Sequence, residues 1–152
     1  RSEVVTGVQT CALPIFMNIL IIDAQGGGIG RQLISHIKRE LPDLYITAVG
    51  TNSMATTAML KAGANQGATG ENSVAVACRR ADIIIGPIGI IVADSMIGEI
   101  TPSIANAITQ ADAERILIPF SNCNTYIAGM SDIHMRKLIN AAIDELRNLT
   151  SR

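Results

Sequence analysis

The segment Asn18-Ile-Leu-Ile-Ile22, followed at once by Asp23-Ala-Gln-Gly-Gly-Gly-Ile-Gly30, constrains this chain more than any other feature. A continuous aliphatic, β-branched run of that length is the pattern of a strand buried on both faces. Four glycines within residues 26–30 then open a stretch whose apolar residues Ile29, Leu33, Ile34, Ile37 and Leu41 recur at helical spacing until Pro42 stops it. Strand, tight turn and helix in this order begin a βαβ unit, which demands a parallel sheet covered by helices.

The rest of the chain repeats the theme. Residues 44–49, 82–86 and 115–119 read as strands, and 53–62, 102–111 and 131–149 as helices. Residues 71–80 satisfy both periods, because Val74, Val76 and Cys78 also alternate, so helix and strand both stay open there. The expectation is an α/β, three-layer Rossmann-like domain with a mainly parallel sheet of about five strands.

Composition removes whole classes of function. Twelve Lys and Arg against thirteen Asp and Glu leave a net charge of −1, so no basic excess exists to bind nucleic acid by counterion release. With no Trp and 3% aromatic residues, stacking platforms for single strands are missing too. An apolar fraction of 48% belongs to a chain that folds, yet the longest apolar stretch, 83–93, is broken by Gly86, Pro87 and Gly89 and is too short to span a bilayer. The cysteines at 11, 78 and 123 are odd in number and scattered, which suits a reducing cytoplasm and offers neither a disulfide framework nor a metal site.

Residues 1–16 stand apart. Val5-Thr-Gly-Val-Gln-Thr-Cys-Ala-Leu-Pro-Ile15 resembles a translated frame of a sequencing-library adaptor, and Met17 opens the first strand like a start codon. A secretory signal is the rival reading, but the segment lacks a clustered positive start and a small-residue cleavage site. Residues 1–16 are therefore expected to be a non-native extension, and 17–152 a single domain.

The first strand-to-helix turn is the candidate site. Glycines let successive backbone N–H groups approach a phosphate, and the helix N-terminus adds partial positive charge. The spacing is Gly26-x-Gly28-x-Gly30 rather than G-x-G-x-x-G, and Ala24-x-x-x-Gly28-Ile29-Gly30 resembles the short-chain dehydrogenase turn with Ala first. No Lys-Ser/Thr pair follows Gly30, which excludes a Walker A loop. Gly26, Gly27, Gly28, Ile29, Gly30 and Arg31 are thus expected to hold a phosphate-bearing ligand, with valine at Gly28 or Gly30 blocking it at modest cost in stability. The end of the second strand, Gly50-Thr51-Asn52-Ser53, carries no acid for ribose hydroxyls, so an NADP-like phosphorylated ribose fits more easily than NAD. Thr51, Asn52 and Ser53 are further candidates, although Asn52 or Ser53 also reads as a simple helix cap. Gly86, Gly89 and Asn122 fall near carboxyl ends of other strands, where open α/β sheets bind ligands. Tyr45 and Tyr126 lack a Lys four residues on, and no G-x-S-x-G elbow occurs, so the residues favour binding over catalysis.

Asp23-x-Gln-Gly-Gly-Gly-Ile-Gly-Arg-Gln32, Ala48-Val-Gly-Thr-Asn-Ser53, Met59-Leu-Lys-Ala-Gly-Ala64, Gly67-Ala-Thr-Gly-Glu-Asn72 and Asp82-Ile-Ile-Ile-Gly-Pro-Ile-Gly-Ile90 together resemble a small bacterial family known as domain of unknown function 3842. Asp94-Ser95, Gly98-Glu-Ile-Thr-Pro102 and Cys123-Asn124 extend the resemblance, and Ala24 departs from it where the family has Gly. The resemblance implies a domain boundary and no activity. Binding of a nucleotide, NADP-like or other, is the leading expectation. The alternatives are an enzyme for a small phosphorylated metabolite with a methylglyoxal-synthase-like phosphate site, an S-adenosylmethionine binder, and a structural subunit with an empty turn. A domain this apolar is also expected to pair as a homodimer, through surplus apolar residues of its terminal helix.

Overall fold

Alternation along one strand sets the architecture. In the structure, a computed structural model that describes residues 16–120, 125–130 and 133–151, β1 (Ile19–Asp23) runs through the middle of the sheet. Ile19 and Ile21 enter one apolar core while Leu20 and Ile22 enter another on the opposite face. Each such side chain stabilises the fold by about 1.5–3 kcal/mol relative to exposure, and a strand apolar on both faces can sit only between two layers.

The elements follow as α1 (Gly28–Glu40), β2 (Ile46–Gly50), α2 (Ser53–Lys61), β3 (Gln66–Thr69), α3 (Glu71–Arg80), β4 (Ile83–Pro87), a single 3-10 turn (Ile88–Ile91), α4 (Pro102–Gln110), β5 (Glu114–Ile118) and α5 (Met135–Thr150). The five strands are all parallel in the order β3-β2-β1-β4-β5. Residues of α1, α2 and α5 pack on the Ile19/Ile21 face, and residues of α3 and α4 on the Leu20/Ile22 face. The chain works outward from β1 to β3, then crosses back to place β4 on the other side of β1. Between the carboxyl ends of β1 and β4 lies the topological switch point, where such sheets open a crevice.

Three local expectations are resolved or corrected. Residues 71–80 form a helix: Val74 and Cys78, four apart, are buried, while Val76 is only half-buried. Glu71 in its first turn and Arg79 and Arg80 in its last complement the helix dipole. β3 has no counterpart in the sequence reading, since Gln66-Gly-Ala-Thr69 is exposed throughout and is ordered by pairing Thr47–Gly50. The terminal helix corrects the assembly argument. Its apolar stripe, Ile139, Ala142, Ile143 and Leu146, is buried within the domain, with the partly buried Met135, Leu138 and Leu149 packed against the same core, so the stripe itself is not free for a partner. Among the described residues no helix is long and apolar enough to cross a membrane.

Candidate functional site

The glycines between β1 and α1 do two different jobs. Gly27 adopts φ +72°, and a Cβ there would stand 2.9 Å from the Ala55 backbone, so the turn presses directly on α2. A Cβ at Gly30 would lie 2.5 Å from the Met59 sulfur and 3.1 Å from the Asp23 Cβ. These two positions serve helix packing. Gly26 and Gly28 face open space, with nothing within 4 Å of a Cβ, and among the described residues their N–H groups donate to no protein acceptor.

The mouth of α1 is already partly filled from within. Asp23 is buried at the end of β1, and its carboxylate accepts the N–H of Ala24 at 2.8 Å and of Gly30 at 2.7 Å. Burial pushes its pKa above the usual aspartate range, against hydrogen bonds from Gly30, Ala24 and Ile29 and with help from the charge of Glu99. Asp23 thereby occupies the Gly30 N–H and leaves Gly26 and Gly28 as the open donors of the turn. Arg31, exposed in the first turn, is the nearest cation in sequence.

Glu99 completes the arrangement from a distance. Its Oε1 accepts from the Gln25 N–H at 2.7 Å, the Thr51 hydroxyl at 2.6 Å and the Asn52 amide at 3.0 Å. Burial alone would raise its pKa, but the hydrogen bonds from Thr51, Gln25 and Asn52 outweigh that and hold it below the usual glutamate range. Asn52 works twice: its Oδ1 caps α2 by accepting the Ala55 N–H at 2.9 Å, while its amide also donates to the Gln25 carbonyl at 2.9 Å. Gly50 makes this closeness possible, since a Cβ there would stand 2.6 Å from the Thr56 nitrogen.

The structure thus brings Gly26–Arg31 together with Thr51 and Asn52 at one edge of the sheet. Ser53 is exposed beside them at the start of α2. Gly86 and Gly89 make their close approaches to the protein itself: a Cβ on Gly86 would collide with the Ile22 carbonyl, and one on Gly89 would stand 2.8 Å from the Met96 methyl. Asn122, with Ser121, Cys123 and Asn124, lies outside the described residues. Residues 50–53 carry no acid, but Glu99 brings a carboxylate to the end of β2 from another element, so that place is not without one as expected. Sequence reading also passed over Asp23 as a ligand of the turn. Its signal was available, as the one charged residue closing a strand buried on both faces.

The chain matches the family described as Domain of unknown function (DUF3842) over residues 18–151. It belongs to that family. No curated protein matches it. Among solved structures, the DUF3842 domain is similar in fold to a dodecameric FMN-dependent Ubix-like decarboxylase from Escherichia coli O157:H7, with a TM-score of 0.42 and 16% identity over 86% of this chain and 76% of that one.

Other places in the DUF3842 domain offer less chemistry. Burial pushes the Cys78 thiol up to about 11, which leaves it a packing residue rather than a nucleophile. Among the described residues no group of three His, Cys, Asp or Glu side chains could hold a metal ion. A cavity of about 400 Å³ lies between α3 and the sheet, lined from Asn18 and Arg80 to Ala68 and Ser73, and includes no residue of the glycine turn.

Proposed function

We propose that this domain binds a nucleotide or another phosphate-bearing ligand at the carboxyl edge of its sheet. The observation that carries the reading is the pair of uncommitted N–H groups, Gly26 and Gly28, at the mouth of α1 beside the switch point. Arg31 offers compensating charge, and Thr51 and Asn52 supply further donors once Glu99 moves aside. The ligand class includes dinucleotides and small phosphorylated metabolites, since the phosphate is what these groups recognise.

A thermal-shift series on the full chain with ADP-ribose, its 2′-phosphate and inorganic phosphate tests this. A phosphate-bearing ligand selective for the folded state raises the melting temperature by mass action. Gly28→Val is expected to abolish that rise while leaving the unliganded melting temperature close to the parent's. Undiminished binding by Gly28→Val would remove the turn as the site.

A homodimer is part of the same proposal, now supported by different residues. Phe120, Tyr126, Met130 and Ile133 are exposed apolar side chains around one cavity beyond β5. A monomer mass by light scattering at tens of micromolar protein would refute it.

A further inference from the structure

The segment joining the 3-10 turn after β4 to α4 does something unusual with its backbone. Asp94, Met96 and Ile97 take φ values of +66°, +56° and +58°, and Gly98 follows at +84°. Asp tolerates this region, but a β-branched residue in it is a genuine outlier. Ile97 is 97% exposed, so its packing within the chain does not compensate.

The loop is nonetheless well closed on itself. Asp94 N–H donates to the Ile100 carbonyl at 2.7 Å, and Ile100 is fully buried, which fixes the base. Ser95 Oγ donates to the Gly89 carbonyl at 2.5 Å. From the β4 side of the switch point the loop passes over the end of β1, and Glu99 fastens it to Gln25, Thr51 and Asn52. Those three donors come from two other segments and converge on one carboxylate oxygen. A donor set of that kind recognises an anionic oxygen. Here the anion in place belongs to the chain itself.

We propose that residues 92–100 form a lid over the carboxyl ends of β1 and β2 and that Glu99 is its latch, a resident anion which an anionic group of the incoming ligand displaces from Gln25, Thr51 and Asn52. The inference rests on reading this edge as the phosphate site. The Gln25 N–H held by Glu99 is next in sequence to the free Gly26 N–H, so a phosphate reaching along the turn competes directly with the carboxylate. Release of Glu99 also removes a negative charge from beside the arriving phosphate, and lets the strained Asp94–Gly98 backbone relax.

The test needs no knowledge of the natural ligand. In the isotope-labelled full chain, acetate and, separately, inorganic phosphate are titrated into the parent and into Glu99→Ala, with the Gln25 amide resonance as readout. In Glu99→Ala the vacated donors are expected to give a saturable shift, with an affinity at least about tenfold above the parent's, because the latch competes only in the parent. Saturation by acetate as well as phosphate marks a general anionic-oxygen subsite, and saturation by phosphate alone marks a phosphate subsite; either supports the latch. Equal titrations in both proteins, or no saturable shift in either, would overturn it. Glu99→Gln, nearly isosteric, guards against misfolding: amide exchange across residues 94–99 is expected to rise about tenfold while β1 is unchanged. Unaltered exchange in that variant removes the lid. A failed nucleotide screen alongside a positive acetate result would instead remove only the nucleotide reading.

Discussion

Two carboxylates meet at the glycine turn, and their environments push them in opposite directions. Asp23 is dominated by burial and lies high; Glu99, partly exposed, is dominated by the sum of its three hydrogen bonds and lies low. The linkage signs differ accordingly. A carboxylate whose folded pKa is depressed contributes stability that is present above its unfolded pKa and lost as pH falls through the folded one. For Glu99 that contribution is complete at neutral pH and disappears below the ordinary glutamate range. Asp23 behaves oppositely: stability is greatest below its unfolded pKa and declines as pH rises through its raised folded value. Glu99→Gln should therefore melt below the parent at pH 7, and the gap should close as the pH is brought down below the ordinary glutamate range. A gap that stays constant across that range would show that the Glu99 charge does not hold the loop.

At the scale of elements, the turn between β1 and α1 shows how much of a motif is packing. Gly27 and Gly30 admit α2; Gly26 and Gly28 leave donors open. The expectation that valine at Gly30 costs little stability is accordingly revised. A Cβ there meets the Met59 sulfur and Asp23, and overpacking of that kind costs about 1–3 kcal/mol. Urea titrations should show Gly30→Val losing that much with an unchanged slope, while Gly28→Val stays near the parent; equal midpoints for the two would contradict the division. The same contrast explains what sequence could reveal. β1, α1, β4 and α5 were legible because burial on two faces or one stripe writes a period into the residues. Gln66–Thr69 was not, since an exposed edge strand owes its existence to its neighbour β2. The candidate site was half legible. Gly26, Gly28, Thr51 and Asn52 announced themselves by type and position, but Glu99 lies 48 residues from Thr51 and meets it only through the path of the loop after β4.

The whole molecule is one sheet with two cores, and both cores are assembled from residues after Met17. The family match begins at residue 18 and β1 at Ile19, so nothing before Met17 contributes a strand or helix to the described fold. Among the described residues, Phe16 makes a contact across that boundary. Phe16 lies against Tyr45 with ring centroids 5.5 Å apart and a 55° tilt, although Phe16 is 61% exposed. An aromatic pair of this kind adds about 0.5–1.5 kcal/mol beyond its area burial, and its exposure places it at the low end. A chain beginning at Met17 is therefore expected to fold to the same sheet and to melt only about 1–3 °C below the parent, the shift that a loss of about 0.5 kcal/mol produces in a domain of this size. Restoring Phe16 alone should recover that difference, and Tyr45→Ala in the full chain should reproduce it. A much larger fall in melting temperature for the shortened chain, unrepaired by Phe16, would show that residues 1–15 carry structure the domain depends on.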